Sequence, residues 1–434
     1  MRGKFATGVG VLLVLASALV SELLRGPNVI AANSLQGDQS YVESNTLLCP
    51  ALDAGTSPLN GVVTLWNTSS SNRHVTATLS NGLETTTTEW DILAGASLSV
   101  NPATYLPKTN ITVRASVDGG GVVGVVRTTS GPTSSVPCRS VGTTAWSVAG
   151  LSSKNGAIAR VVVMNPSATP SVINVTTWSS IGYALPAPYQ GLVVPAAGQV
   201  TLNLSNVVVE ATDISADITV LRGRIVATAL QIEGANGSLV RGSDTPTTTQ
   251  WYPAVPTDEL ESVSLAVMNP SSTTTDIRVA VSLPGFQIAP LRFTVPGGAS
   301  RVTLVPNTRI PSSGLASVRV TSHDPITTSL TLVRGRIHRI QSPPPMSTEL
   351  AWVGSAGIPD AMRLIADASG TVSFHTLRHG VHRTRNVKVI AGQALTPPTA
   401  WIQSGHGTVT SASNISLVAV FSNTAFEVGL DARQ

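Results

Sequence analysis

Charge is the first thing this chain is short of. Asp, Glu, Lys and Arg make up 12% of its 434 residues and 42% are hydrophobic, the reverse of the balance that keeps a chain disordered. Aromatic residues reach only 4%, so a core has to be assembled from Val, Leu, Ile and Ala, and the many Val and Thr favour strands. Helical patterning is missing beyond the N-terminus, where no useful stretch repeats apolar residues at i, i+3, i+4 and i+7. Cysteine is limited to Cys49 and Cys138, with no CxxC, too few ligands for a thiolate metal site. The net charge of +4 is modest for the length and predicts no nucleic-acid partner. A GxSxG elbow is absent too. The glycines of "VDGGGVVG" from Val117 open no helix, so they make a turn or bulge between strands and not a phosphate loop.

What is present starts with a signal. Arg2 and Lys4 precede the apolar run "ATGVGVLLVLASALV" at residues 6–20, which reads as an export segment. Residues 5–24 are just long enough to span a bilayer as an uncleaved helical anchor. Ala16-Ser17-Ala18 and the "VIAA" ending at Ala32 offer small-residue cleavage sites, the secreted alternative. Either way the body lies outside the cytoplasm, where two cysteines pair. A Cys49–Cys138 bridge closes a loop of about 90 residues, for which chain entropy gives up to about 4.6 kcal/mol.

The body repeats itself. "VVVMNPSATPSVINV" from Val161 and "LAVMNPSSTTTDIRV" from Leu265 place Asn165 and Asn269 at 269 − 165 = 104 residues apart, and "LWNTSS" places Asn67 at 165 − 67 = 98 before the first. Trp146, Trp251 and Trp352 open successive units, and Gly95, Gly198, Gly298 and Gly392 mark corresponding turns. "GVVRTT", "TVLRGRI" and "TLVRGRI" put Arg127, Arg222 and Arg334 near the unit ends as structural strand-end residues, with Phe421 in the last. Asp367 stands in the final unit where the others hold Asn.

Within each unit apolar residues alternate, as in Val200, Leu202 and Leu204, the period of a half-buried strand. Pro after Asn ends a strand and starts a turn. Six or seven short strands in about 100 residues predict a sandwich of immunoglobulin size, whereas a propeller blade needs only about 40–50. The expected fold is all-β: a tandem array of about four immunoglobulin-like β-sandwich repeats after an N-terminal apolar helix. Its divisions are a signal or anchor at 1–24, a linker at 25–46, and repeats at 47–139, 140–243, 244–346 and 347–434.

The order Trp, then "VxNPS", then a "VPAGG"-like turn, then "VxR" resembles a repeat in exported actinobacterial proteins of a domain-of-unknown-function family. The resemblance covers most of residues 49–434 and implies a secreted or anchored envelope protein working near cell-surface glycan assembly. This sequence departs from the family's "WYFPEG"-like stretch, with "WSVAGLS", "WYPAVPT" and "WVGSAGI" after its Trp residues.

Candidate chemistry gathers in the last unit. "FHTLRHGVHRTRNVK" brings together His375, Arg378, His379, His382, Arg383, Arg385 and Lys388 on strands flanking a turn at Gly380. This reads first as a solvated basic hairpin, then as a contact for an anionic partner, and only last as a metal site, since no carboxylate or fixed ligand spacing accompanies the imidazoles. "TDELE" at 257–261 puts three carboxylates in one loop, short of the opposed pair a glycosidase needs and of the oxygens calcium needs. No catalytic, cofactor or metal residues are assigned. The expected function is a non-catalytic extracytoplasmic scaffold or binding protein of the cell envelope, with an envelope protein or anionic surface polymer as partner. The alternatives are an accessory subunit of glycan assembly beside a glycosyltransferase, or an envelope enzyme.

Overall fold

The computed structural model describes residues 45–431, except 55–58, 107–108, 129–133, 180–181, 257–259, 284–285, 306–314, 335–336, 342, 344–348, 354–360, 379–380, 399–400, 402–405, 412–414, 416, 423–426 and 429. The apolar run and most of the linker expected at 25–46 lie outside the described residues. Among the described residues no helix is long and apolar enough to cross a membrane.

The fold is all-β and builds up as pairs of sheets. The first pair comprises β1 (Thr46–Ala54), β2 (Gly61–Asn67), β3 (Arg73–Ser80), β4 (Thr85–Ile92), β5 (Ser97–Val100), β6 (Thr109–Val117), β7 (Val122–Thr128) and β8 (Ser135–Pro137). Its sheets, ordered β1-β6-β3-β4 and β5-β2-β7-β8, enclose a core that includes Leu47, Leu65, Val75, Val113 and Val126. The second pair comprises β9 (Ala145–Leu151), β10 (Ile158–Met164), β11 (Ser171–Ser179), β12 (Gly182–Ala184), β13 (Leu192–Val194), β14 (Gln199–Asn203), β15 (Ile214–Arg222), β16 (Val226–Glu233) and β17 (Asn236–Val240). Its sheets run β12-β11-β15-β9, with β13 also on β11, and β14-β10-β16-β17.

The third pair has β18 (Thr247–Pro256), β19 (Ser262–Asn269), β20 (Thr275–Leu283), β21 (Phe286–Gln287), β22 (Leu291–Val295), β23 (Ala299–Val305), β24 (Leu315–Arg334) and β25 (Ile337–Gln341). Here β24 runs through both sheets, pairing β18 and β20 with its first half and β19 and β25 with its second. The fourth has β26 (Glu349–Val353), β27 (Ala361–Ala366), β28 (Gly370–Arg378), β29 (Val381–Val389), β30 (Ala394–Leu395), β31 (His406–Ser411), β32 (Leu417–Ser422), β33 (Glu427–Val428) and β34 (Leu430–Asp431). Its sheets run β29-β28-β31-β26-β34 and β30-β27-β32-β33.

The connectivity differs from that of an immunoglobulin domain, whose first two strands pair in one sheet. Here β1 pairs β6, while β2 lies in the other sheet between β5 and β7. Alternation accounts for the one-faced strands: in β20, Ile277, Val279 and Val281 are buried while Asp276 and Arg278 are exposed.

The Asn marks are buried staples. Asn165 Nδ2 donates to the carbonyls of Thr169 (2.8 Å), Val194 (3.2 Å) and Pro195 (3.0 Å), and its Oδ1 accepts from Ser167 N (2.9 Å). Asn67 and Asn269 repeat the pattern, so one side chain closes one turn and ties it to a second. The fourth pair slips by one residue: Asp367 is exposed, and the inward place at the strand end is held by Ala366. The same slip separates two of the Trp marks. Trp146, opposite Ile218, lies in its own core and donates Nε1 to Arg241 O at 2.9 Å. Trp251, opposite Arg319, faces away from its core, whose inward place goes to Tyr252. A shift of one residue on a pleated strand exchanges the two faces. Trp352 lies in β26, and its side chain is outside the described set.

Two further marks move. Gly95, Gly298 and Gly392 take positive φ, but in the second pair Ala197 (φ 50°) does so in place of Gly198. Ala197 N bonds Ser167 O and Gly298 N bonds Ser271 O, which makes these two the equivalent residues. Arg127 and Arg334 end strands that pair β2 and β19, whereas Arg222 ends β15, one strand earlier in its unit. The "VLRGRI" and "LVRGRI" segments therefore match in letters and not in place. Their spacing of 334 − 222 = 112 departs from the 104 of the Asn marks.

Some strands are buried on both faces, and the covering element is the neighbouring pair. In β10, Val161 and Val163 face their own core, while Val162 joins the first pair's core and Met164 packs with Leu48. In β19, Ala266 and Met268 pack against Ala149 and Trp178. Accordingly β1 lies against β10 and β16, β9 against β19 and β24, β18 against β27 and β32, and β26 against β2 and β7. The sequence of contacts returns to its starting point.

Candidate functional site

The basic segment forms a hairpin, as the sequence predicts. β28 and β29 pair from Gly370↔Val389 to Arg378↔Val381, and position 382 stands opposite Leu377. His379 and Gly380 lie outside the described residues, as do the side chains of Arg378 and His382. The remaining cluster does not share one face. Arg385 stands opposite Phe374, a core residue, so its pleat places it on the inward side, where its guanidinium lies 5.1 Å from the Trp401 ring centre. Trp401 in turn meets Phe374 edge-on at 5.8 Å. Arg383, two residues earlier on that side, is exposed toward the hairpin tip.

His375 and Lys388 take the other face. Lys388 is exposed. His375 is fixed between two hydroxyls, with Nδ1 at 3.0 Å from Thr384 Oγ1 and Nε2 at 3.0 Å from Thr410 Oγ1. Burial pushes its imidazole below the usual histidine range, so it stays neutral where an exposed histidine begins to charge. The structure thus separates a cluster that sequence spacing brings together. Its exposed charges, among the described side chains, are Arg383 and Lys388 on opposite faces.

Cys49 and Cys138 are bonded, tying β1 to the residue after β8. The backbones of Leu48 and Arg139 exchange hydrogen bonds of 2.6 and 2.9 Å beside the bridge. Arg139 also forms a two-pronged ion pair with Asp244, whose residue follows the second pair. In the glycine segment, Gly119, Gly120 and Gly121 all take positive φ in the turn from β6 to β7. Of the "TDELE" loop, 257–259 are outside the described residues, and Glu261 N bonds Val333 O.

Sequence reasoning missed the polar chemistry between sheet pairs. Asp213 is buried at 3% exposure and accepts from Ser300 Oγ of the third pair at 3.1 and 3.0 Å. Ser300 Oγ also lies 2.7 Å from Ser215 Oγ. Burial pushes the Asp213 carboxyl up to about 6, the serine hydroxyls opposing it. Asp217, on β15, which begins just after Asp213, is likewise raised by burial. Thr112 with Gln199 (2.6 Å), and Ser147 with Thr327 (2.6 Å), are similar junctions. Nothing in a Ser or Thr on the polar side of a strand distinguishes such a partner from water.

Comparison with known proteins places the chain more narrowly. The model of a family of unknown function, DUF5719, matches residues 131–393. Among solved structures, the chain is similar to the Streptomyces avermitilis α-L-rhamnosidase complexed with L-rhamnose, with 12% identity and a TM-score of 0.16 over 73% of this chain and 44% of that one. It therefore spans less than half of the rhamnosidase's length. It is also similar to a tetra-tandem repeat in the extending region of a large adhesion protein, with 10% identity and a TM-score of 0.13 over 89% of this chain and 99% of that one. No curated protein matches.

Proposed function

The chain belongs to the DUF5719 family of unknown function, and we propose that it is a non-catalytic scaffold or binding protein of the cell envelope, built from four β-sandwich repeats of immunoglobulin size closed into one body. The observation that carries this reading is the cycle of contacts, in which the opening strand of each pair meets the same two strands of the next and the last pair meets the first. Such a body commits part of its sheet surface to its neighbours, where β1, β9, β18 and β26 meet the next pair, and presents turns and hairpins to partners. The repeats run 47–139, 140–243, 244–346 and 347–434. The Cys49–Cys138 bridge supports a place in an oxidising compartment, reached through residues 1–24 as anchor or signal.

The partner is an envelope protein or an anionic surface polymer, and the 370–389 hairpin is the contact for the latter. The test is retention of the full chain on purified anionic wall polymer across salt concentration. Retention that weakens with salt and falls in Arg383→Ser/Lys388→Ser supports the reading. Retention indifferent to both removes the polymer as partner, and a C-terminal reporter active only in the cytoplasm overturns the location.

A further inference from the structure

The outer face of the third sheet pair carries two arginines in direct opposition. Arg278 on β20 stands opposite Arg292 on β22, and Thr321 on β24 stands opposite Arg278 from the other side. Asp276 and Thr294 form the neighbouring row. These residues line a cleft of about 440 Å³. Arg278, Arg292, Thr294 and Asp276 are exposed. Among the described residues, neither guanidinium has an ion pair, a hydrogen bond or a ring partner, and Asp276 pairs with neither. The contrast with nearby arginines is direct: Arg319 covers Trp251 at 5.1 Å, and Arg301 covers Phe293 at 5.2 Å while donating to Thr294 O at 2.8 Å.

Like charges directly opposite on antiparallel strands repel and destabilise the sheet. A guanidinium offers planar forked donors that match an oxyanion, and two such forks facing one cleft can neutralise each other's repulsion through a shared anion. The hydroxyl of Thr294 supplies a neutral donor beside it, while Thr321 Oγ1 gives its hydrogen to Arg278 O at 3.4 Å and keeps only its acceptor lone pairs for a ligand. Asp276 works against a bare anion but suits a ligand whose charged group is attached to hydroxyls, because a carboxylate accepts from them.

We propose that this cleft binds an acidic carbohydrate, its oxyanion held between Arg278 and Arg292 and a neighbouring ligand hydroxyl donated to Asp276. The site is separate from the 370–389 hairpin and does not depend on the envelope reading. Carboxylate and phosphate share the chemistry that two guanidinium forks recognise, so the ligand's acid group is fixed by experiment.

The test titrates the full chain with glucuronate, glucose 6-phosphate and inorganic phosphate, following binding by calorimetry. Binding of either sugar acid by the wild type is expected, with the stronger of the two naming the acid group. Arg278→Gln/Arg292→Gln is expected to weaken it by at least about tenfold, the scale of one lost charge-assisted pair. Asp276→Asn should reduce the preference for glucose 6-phosphate over inorganic phosphate. Without ligand, Arg292→Gln alone should raise the melting midpoint, since it removes the opposed charge; this readout also shows that the variant folds. The proposal is overturned if the wild type binds neither sugar acid, or if the double variant binds as tightly as the wild type. It is overturned equally if Arg383→Ser/Lys388→Ser on the separate hairpin causes the same loss.

Discussion

The side chain of Trp251 packs on Ile365 of the neighbouring sheet pair and not in the core of its own. Gly392 passes close enough that a Cβ there would stand 3.4 Å from the indole. Trp251→Ala is therefore expected to cost about 3–5 kcal/mol, as for other buried large-to-small changes. Its effect on native-state hydrogen exchange should appear in β18 and β27 together. Loss of protection in the third pair alone would contradict the junction.

Asn165 satisfies three backbone carbonyls with one amide. Asn165→Ala leaves them without that donor and is expected to cost about 2–4 kcal/mol, judged from the penalty for buried unsatisfied groups. The exposed Asp367, which the sequence aligns with it, should tolerate alanine at under about 1 kcal/mol. Denaturant midpoints of the two variants compare them, and equal losses would remove the staple's special role.

Asp213 links stability to pH. Its carboxyl titrates near 6 when folded, against an ordinary 3.8, so between these values the folded chain binds more protons than the unfolded one. The contribution is fully present below about pH 4 and is lost as pH rises through about 6, a change on the order of 3 kcal/mol. Asp217, raised for the same reason, adds in the same direction. Melting midpoints of Asp213→Asn should fall less than those of the wild type between pH 4 and 7; parallel curves would refute the assignment.

Ala197 holds the left-handed conformation that glycine takes at Gly298 and Gly392. The strain of a Cβ there is about 1–2 kcal/mol, and glycine's extra unfolded-state entropy returns about 0.4–1 kcal/mol of it. Ala197→Gly should therefore raise the melting midpoint slightly. A lowered midpoint would mean that the turn is not strained.

Much of the strand framework was legible because its causes are local. Asn followed by Pro ends a strand, alternation at Ile277, Val279 and Val281 marks one buried face, and Cys49 and Cys138, the chain's two cysteines, pair with each other. The relation between sheet pairs was not, although one clue lay in plain view. "VVVM" and "LAVM" are unbroken apolar runs, the mark of a strand covered on both sides, and Val162 and Ala266 do face the adjoining pair. The other junction residues are Ser, Thr and Gln, which look like a solvated face. Repeated letters also outran repeated geometry, since a slip of one residue reverses Trp251 and the "RGRI" segments fall on different strands. At the hairpin, residue spacing gathered the basic side chains, while the pleat divides them.

The contact cycle is tested most directly by removing residues 347–434 and following amide hydrogen exchange strand by strand. β26 covers β2 and β7, and β27 and β32 cover β18. A closed body predicts that protection falls in β2 and β7 of the first pair as well as in β18 of the third. A linear array, coupled only to its sequence neighbours, loses protection in the third pair while β2 and β7 stay as in the full chain; that result would contradict closure.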